Sequence, residues 1–501
     1  MDLSSWSDPD PAEVFHPAND ADWAAALDRY LGSGNDRPLE RCVEVARALG
    51  ATTLVVETRY LDVDYRSEFS AFYSRQFADI PDSAHRLHFF ARKLPAASLW
   101  RLAESAGYLG YVVVRPTATG LVSRAHLPPP PDLASAVRTT VVERVTFFGQ
   151  SLEVRGVPFA QQDAQLGACA HAAAWMCHYS AHLRGDVSRR TKAEFSLKAD
   201  ASLHPGRAMP TAGLTVSQLS ELFRTFDLPA MFYSVGSLPS PGLAWQPADP
   251  VAPNLTDPPG SWDHRIIPIM CRHLNSGHPV LVGTSDHAFI VCGYRRVPQP
   301  QGWIEFVRHD DQRGPYLIVA SVLNDVDPVS GHAYGAWRTM HVPLPDKLWL
   351  APEAAERKGG QYLHHVSVPI AGSSVGGAGV QTLPALIAAN RLALKTYAVK
   401  SSDFKSSLKG RGLPTEIRRE YQLARFPRYV WVVEAIDRDL RDSGQPCVLG
   451  EAVLDATSSD HSPDHLALHL HGVMWLQQTG GIRFPIVGSP NPYLSGGIGD
   501  P

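Results

Sequence analysis

The chain has 501 residues, of which 44% are hydrophobic and 19% charged, with a formal net charge of −4 at pH 7. At roughly 100–200 residues per domain this describes a globular protein of several folding units. It excludes bulk attraction to nucleic acid or anionic lipid, which needs a basic excess. No run of about 18 apolar residues marks a membrane span. The acidic opening MDLSSWSDPDPAEVFHPAND lacks the basic and apolar segments of a signal peptide, so the expected location is the cytoplasm.

In chain order, DADWAAALDRYLG and RPLERCVEVARALG read as two helices, each stopped by a glycine. Strand-like runs follow in TTLVVETRYL, RLHFFARKL and LGYVVVRPT, with a helix at YRSEFSAFYSRQF between the first two. This N-terminal α/β region, residues 1–135, closes at HLPPPPDLAS, where four prolines resist regular structure. The middle region, 136–350, holds the strands VERVTFFGQ and LEVRGVPF, the helix GACAHAAAWMCHYSAHLRG and a proline-dense excursion over 237–262. The strands HPVLVGT, HAFIVCGYR, WIEFVRHDD and PYLIVASVL complete it. The C-terminal region, 351–501, reads as β-rich. It runs from strand-like HHVSVPI through the Gly/Ser-rich 371–381 and helix-like LPALIAANRLALKTYA to RYVWVVEAI, CVLGEAVLDA and HLALHLHGVMWLQ.

The six cysteines, Cys42, Cys169, Cys177, Cys271, Cys292 and Cys447, are too sparse and irregular for a disulfide framework and read as reduced thiols. Cys169 differs from the rest by its place. Its helix is apolar nearly all the way round as far as His178, hence central and buried, and the cysteine opens the first turn. There, unpaired backbone N–H groups and the helix dipole favour a thiolate. A thiolate attacking a carbonyl also needs a base that later protonates the leaving group, and imidazole suits that task near neutral pH. His287 heads a strand on which Phe289, Val291 and Gly293 share its face, so its ring projects from a rigid sheet edge. Asp310 and Asp311, at the end of the next strand, are the candidates to orient the ring. The Cys169 amide and one of Gln161, Gln162 or Gln165 would supply the oxyanion donors.

In this order of glutamine, cysteine-headed helix, histidine-headed strand and acid, the chain resembles the papain-like superfamily of cysteine peptidases, most closely its bacterial C39-like branch. The matching residues are Val157, Pro158, Gln162, Cys169, Ala172 and Met176, then Pro279, Val280, His287, Gly293 and Tyr294, then Asp310 and Gly314. The resemblance covers roughly residues 150–320. It implies an α+β fold, a central helix packed on an antiparallel sheet, with Cys169 as nucleophile, His287 as base, Asp310 as orienting acid and Gln162 as oxyanion donor. It also implies a peptide or protein substrate, hydrolysis of a peptide or isopeptide bond, and no cofactor or metal. Two features depart from the pattern: Gln162 stands seven residues before the cysteine where five or six is usual, and Ala170 replaces the glycine that normally follows it.

Rival readings compete with this one. Cys169, His171, Cys177, His178 and His182 crowd one helix, with His178 and His182 spaced for a shared metal, but no close-spaced cysteine pair or H-E-x-x-H pattern supports zinc. GSSVG around Ser374 matches the serine-hydrolase elbow without the helix that should follow it. Glu451 and Asp455 are expected in a solvated strand and turn. The non-catalytic alternative is a papain-fold binding or scaffold protein that meets a protein partner through its outer regions, and an acyltransferase of the same fold is a further alternative.

Overall fold

The computed structural model describes residues 12–31, 36–102, 107–117, 120–163, 168–199, 213–234, 262–297, 303–319, 325–326, 331, 333–371, 383–459, 465–470, 473–478, 481–483 and 492–497. Gln165, Ser374 and the 237–261 excursion lie outside them. The fold is mixed α+β. Described residues of Met1–Tyr233, Pro279–Arg295 and Glu305–Pro345 form one unit; those of Ser234–His278, Arg296–Ile304 and Asp346–Pro501 form the other. Among the described residues no helix is long and apolar enough to cross a membrane.

The first unit begins with β1 (Ala12–Phe15), α1 (Asp20–Leu31), α2 (Arg37–Ala48), β2 (Thr53–Tyr60), α3 (Val63–Ala71), β3 (Ala84–Phe90) and β4 (Tyr108–Val114). It continues through β5 (Val122–Leu127), β6 (Val141–Phe147), β7 (Gln150–Phe159), α4 (Cys169–Leu183), α5 (Lys192–Ala199), α6 (Val216–Thr225) and β8 (Ala230–Ser234). After α7 (Trp262–Asn275), which belongs to the second unit, come β9 (Val280–Gly283), β10 (Ala288–Val297), β11 (Trp303–Asp310), β12 (Gly314–Val319), β13 (Asp325–Val326), β14 (Ala333–Gly335) and β15 (Thr339–Pro343).

Local chemistry explains the helix starts. Asp36 accepts the Leu39 N–H (3.0 Å) ahead of α2, and Asp62 accepts those of Asp64 and Tyr65 (3.1 and 3.0 Å) ahead of α3, each satisfying amides that lack an intrahelical partner. A seven-stranded antiparallel sheet has the order β1-β2-β3-β4-β5-β7-β6. The four-proline run lies between β5 and β6 of this one sheet, and β5 pairs with β7 across it, Leu127 opposite Val157. A second sheet has the order β12-β11-β10-β9-β15-β8, and β13 and β14 form a separate ribbon.

α4 lies in the core these sheets share: Ala173, Trp175 and Met176 pack with Val157 and Phe159 of β7 and with Leu281 and Ile290 of β9 and β10. Every residue from Ala170 to Ala181 is buried, which is why this helix is apolar all round. Tyr316 ties the sheets together, its hydroxyl donating to the Leu127 carbonyl (2.7 Å) and accepting from the Val157 N–H (3.0 Å).

The strand that carries His287 is held from behind by close backbone approach. Gly293 of β10 bridges to Val137, and a Cβ there would run into the Ala136 carbonyl and the Val137 Cα. Gly293→Ala is therefore expected to destabilise the chain by about 1–3 kcal/mol through overpacking, read as a lower denaturant midpoint at unchanged slope.

In the second unit, α8 (Pro352–Ala371) and α9 (Leu383–Ala388) precede β16 (Leu392–Lys400), α10 (Ser401–Ser407), α11 (Thr415–Leu423), β17 (Tyr429–Asp437) and α12 (Arg438–Asp442). β18 (Val448–Asp455), β19 (His465–Leu470), β20 (Val473–Gln478) and β21 (Gly481–Arg483) complete an antiparallel sheet whose spatial order follows the chain. β17 is buried along its whole length, so its first five residues, YVWVV, read as a continuous apolar run instead of an alternating one.

Three expectations are corrected here. HHVSVPI is helix, not strand: it completes α8, whose leading Ala and Glu residues favour helix and carry the β-branched stretch along. LPALIAANRLALKTYA is helical only to Ala388; Asn390, in the left-handed region at φ 54°, ends it, and the rest pairs with β17 as β16. Glu451 is not solvated. It is fully buried opposite Glu434, and the Arg411 guanidinium bonds both carboxylates (2.5 and 2.9 Å), without which their desolvation would be prohibitive.

Candidate active site

Cys169 is the first residue of α4 and is half-buried. No side chain caps this helix start: Ala168 has no acceptor, and His171 Nδ1 instead accepts the Ala168 N–H (3.2 Å). The His171 N–H reaches the Ala168 carbonyl (3.0 Å), and no side chain caps the amides of Cys169 and Ala170 before it.

His287 ends the loop that joins β9 to β10. Thr284 clamps it from both sides, donating its N–H to the His287 carbonyl (2.9 Å) and accepting the His287 N–H on its hydroxyl (3.2 Å). The backbone beneath the ring is thus fixed at a sheet edge. Asp310 ends β11, where the register with β12 shifts between Arg308 and Asp310, the kind of bulge that re-aims a side chain. Its carboxylate accepts the Gln312 N–H (3.0 Å) and lies 3.2 Å from His287 Nε2. The Cys169 side chain lies close enough to the imidazole to help raise its pKa, but outside hydrogen-bond geometry at Nδ1. With Nε2 on Asp310, Nδ1 is the ring atom left for the thiol. The three groups, taken from a helix start and two strand ends, come together in the order sulfur, imidazole, carboxylate.

Asp311 adds a second acid, its Oδ1 3.7 Å from the same Nε2. The Gln162 amide N–H approaches its carboxyl closely enough to favour the charged form, but outside hydrogen-bond geometry. Burial dominates and, with the Asp310 charge, outweighs the pull of His287, so the Asp311 pKa rises to about 8. Asp310 goes the other way. Burial would raise its pKa, but the hydrogen bond and charge of His287, then Arg308 and the Gln312 N–H, hold it below the usual value. For His287, burial alone would lower the pKa; the bond to Asp310, the nearby Cys169 side chain and both aspartate charges raise it to about 10. The imidazolium form therefore dominates at neutral pH.

These shifts carry a pH signature. The folded state holds the Asp311 proton more tightly than the unfolded chain, where an aspartate titrates near 3.9, so the contribution of Asp311 to stability falls as pH rises from about 4 to 8. The contribution of His287, with its raised pKa, is complete below about 6.5 and lost as pH climbs towards 10. We expect the thermal midpoint at pH 8, relative to that at pH 4, to be higher in Asp311→Asn than in the wild type, measured by calorimetry across that range.

The glutamines separate. Gln161 is engaged at both ends of its amide, accepting the Val122 N–H (2.7 Å) and donating to Asp36 (2.8 Å). Gln162 is half-buried beside Asp311, and Gln165 lies outside the described residues. Gly120, at φ +66°, lets the chain pass against the Gln162 carbonyl, which a Cβ would strike.

A cleft of about 400 Å³ opens over Cys169 and His287, with Leu219, Leu281 and Ala288 on its floor and Thr284 and Asp286 at its rim. The helix metal set of the sequence does not assemble. His178 packs edge-on against Phe195 and Phe226, the Cys177 thiol faces the Pro279 carbonyl, and His182 Nδ1 pairs with the Val187 carbonyl. Among the described residues, the cluster of three metal-capable groups is His287, Asp310 and Asp311. Its Nε2 and Asp310 Oδ1 are already bonded to each other, which makes them acid–base partners first.

Sequence reasoning missed the residues behind Asp310. Arg308 Nε is 3.6 Å from Asp310 Oδ2, and its Nη1 bonds Asp325 (2.5 Å), which also accepts the Trp337 indole N–H (3.1 Å). The alternation of β11, which puts positions 308 and 310 on one face, was the available signal for Arg308. The chain matches no protein-family model and no curated protein.

Proposed function

We propose that the chain is a thiol-dependent hydrolase with a papain-like core, cleaving a peptide or isopeptide bond. Cys169 attacks the carbonyl carbon. The imidazolium of His287 gives its proton to the leaving amine, then takes one from the water that releases the acyl group. Asp310 fixes the tautomer, and the Cys169 amide with the Gln162 side chain stabilises the oxyanion. The carrying observation is His287 set between a thiol at a helix start, with which it lines one cleft, and a buried carboxylate 3.2 Å from its Nε2.

The test is site-resolved alkylation with iodoacetamide at pH 6–7, followed by peptide mapping. Burial holds Cys42, Cys177 and Cys292 as thiols by raising their pKa, so Cys169 should react at least tenfold faster than any of them. His287→Ala should remove that advantage. Equal labelling of Cys169 and Cys447 in the native protein overturns the reading and favours a scaffold. An electrophilic acyl probe captured at Cys169, then released by water or by an added amine, separates hydrolysis from acyl transfer.

A further inference from the structure

The ribbon of β13 and β14 has no part in the catalytic groups, yet it brings two polar residues into the densest part of the unit. Asp325 is its first residue and is 2% exposed; Trp337, just beyond it, is fully buried. The two are bonded to each other. Asp325 Oδ2 takes the Arg308 guanidinium at 2.5 Å and the Trp337 N–H at 3.1 Å, while Arg308 reaches Asp310 with its Nε at 3.6 Å. Arg308 is itself 2% exposed, its guanidinium 4.9 Å from the centre of the Phe289 ring. Phe289 meets Trp337 on one side and His287 on the other, with ring centres 5.5 and 5.9 Å apart. A buried ion pair is weak support for stability, because desolvation cancels most of its attraction. The cost makes sense if the pair does something for the carboxylate it touches.

We propose that Arg308 and Asp325 are positioning residues that hold Asp310 in orientation and set the charge felt by His287, with the β13–β14 ribbon as their mount. The inference rests on the hydrolase reading above. Charge balance gives its logic. With His287 and Arg308 positive and Asp310 and Asp325 negative, these four groups sum to zero while Asp311 keeps its proton, consistent with the raised Asp311 pKa. The groups facing His287 are Cys169 from α4, Asp310 and Asp311 from the end of β11, and Arg308 and Asp325 behind them; Asp286 stands at the cleft rim. His341 of β15 lines the same cleft and is neutral at catalytic pH, since burial lowers its pKa to about 4. Removing the Asp325 charge leaves Arg308 to pull on Asp310 alone, so the imidazolium loses support. Removing the Arg308 charge does the reverse.

The readout is the pH profile of Cys169 alkylation, which needs no known substrate, together with kcat/KM for any acyl probe the enzyme turns over. Asp325→Asn, which keeps an acceptor for Trp337, should move the basic limb of both profiles down by about 0.5–1 pH unit and lower kcat by about 10- to 100-fold through misplacement. Arg308→Met should move the same limb up. Should that variant fail to fold, with Asp325 left buried and unpaired, Arg308→Met combined with Asp325→Asn restores neutrality; it should return the limb close to wild type while kcat stays low. Lower melting temperatures with unmoved limbs would show scaffold residues only and overturn the proposal. If wild-type Cys169 shows no profile dependent on His287, the hydrolase reading fails and takes this proposal with it. An intact wild-type profile that Asp325→Asn leaves unchanged refutes the positioning role alone.

Discussion

Cys169→Ala is expected to fold as the wild type does and to lose turnover by a factor of about 10⁴ or more. Cys169 is only half-buried, so removing its sulfur opens no sealed cavity and the stability change should stay within about 1 kcal/mol. The chemistry has no substitute. Cys177 faces a backbone carbonyl inside the core and Cys292 that of Val307, and burial raises the pKa of both. Rates measured on the same acyl probe for wild type, Cys169→Ala and Cys169→Ser, beside their melting curves, decide the matter. A fully active alanine variant removes Cys169 from the mechanism.

Asp310→Asn should slow turnover by two to three orders of magnitude, less than the roughly 10⁴-fold typical of losing a lone tautomer-fixing carboxylate. The difference comes from Asp311. Burial, with the Asp310 charge added to it, lets Asp311 retain its proton near neutrality, its pKa about 8. Once the Asp310 charge is gone, that repulsion goes with it; burial still raises the pKa, but Asp311, with Oδ1 3.7 Å from His287 Nε2, ionises more readily and partly takes over. The double variant Asp310→Asn with Asp311→Asn should therefore reach the full loss, and its two effects should not add. Steady-state kcat/KM for the single and double variants checks this. If Asp311→Asn alone abolishes activity while Asp310→Asn is mild, the orienting role belongs to Asp311.

How much of this was legible varied with the type of signal. α4 was plain because twelve buried residues in a row leave no polar face to confuse the pattern, and its glycine stop is local chemistry. β9 to β12 were plain for a similar reason, short apolar runs broken by turn residues. The same logic failed where local and tertiary preferences disagree. HHVSVPI has the β-branched content of a strand and lies in a helix, and LPALIAANRLALKTYA divides at Asn390, whose left-handed backbone no periodicity reports. Glu451 looked solvated because its partner Arg411 lies 40 positions away in the chain.

From its sequence alone the protein determined its residue chemistry: a thiol at an uncapped helix start, an imidazole at the head of a strand, and paired acids at the end of the next. Those are short-range properties, set by periodicity, turns and side-chain type. Only the tertiary structure decided which acid lies nearer the ring, that the Gln161 amide is already engaged by Val122 and Asp36, and that Arg308, Asp325 and Trp337 stand behind Asp310. The physical reason is range. Pairing across a sheet and burial of charge depend on groups far apart in sequence, and their energies arise only when folding removes the water between them.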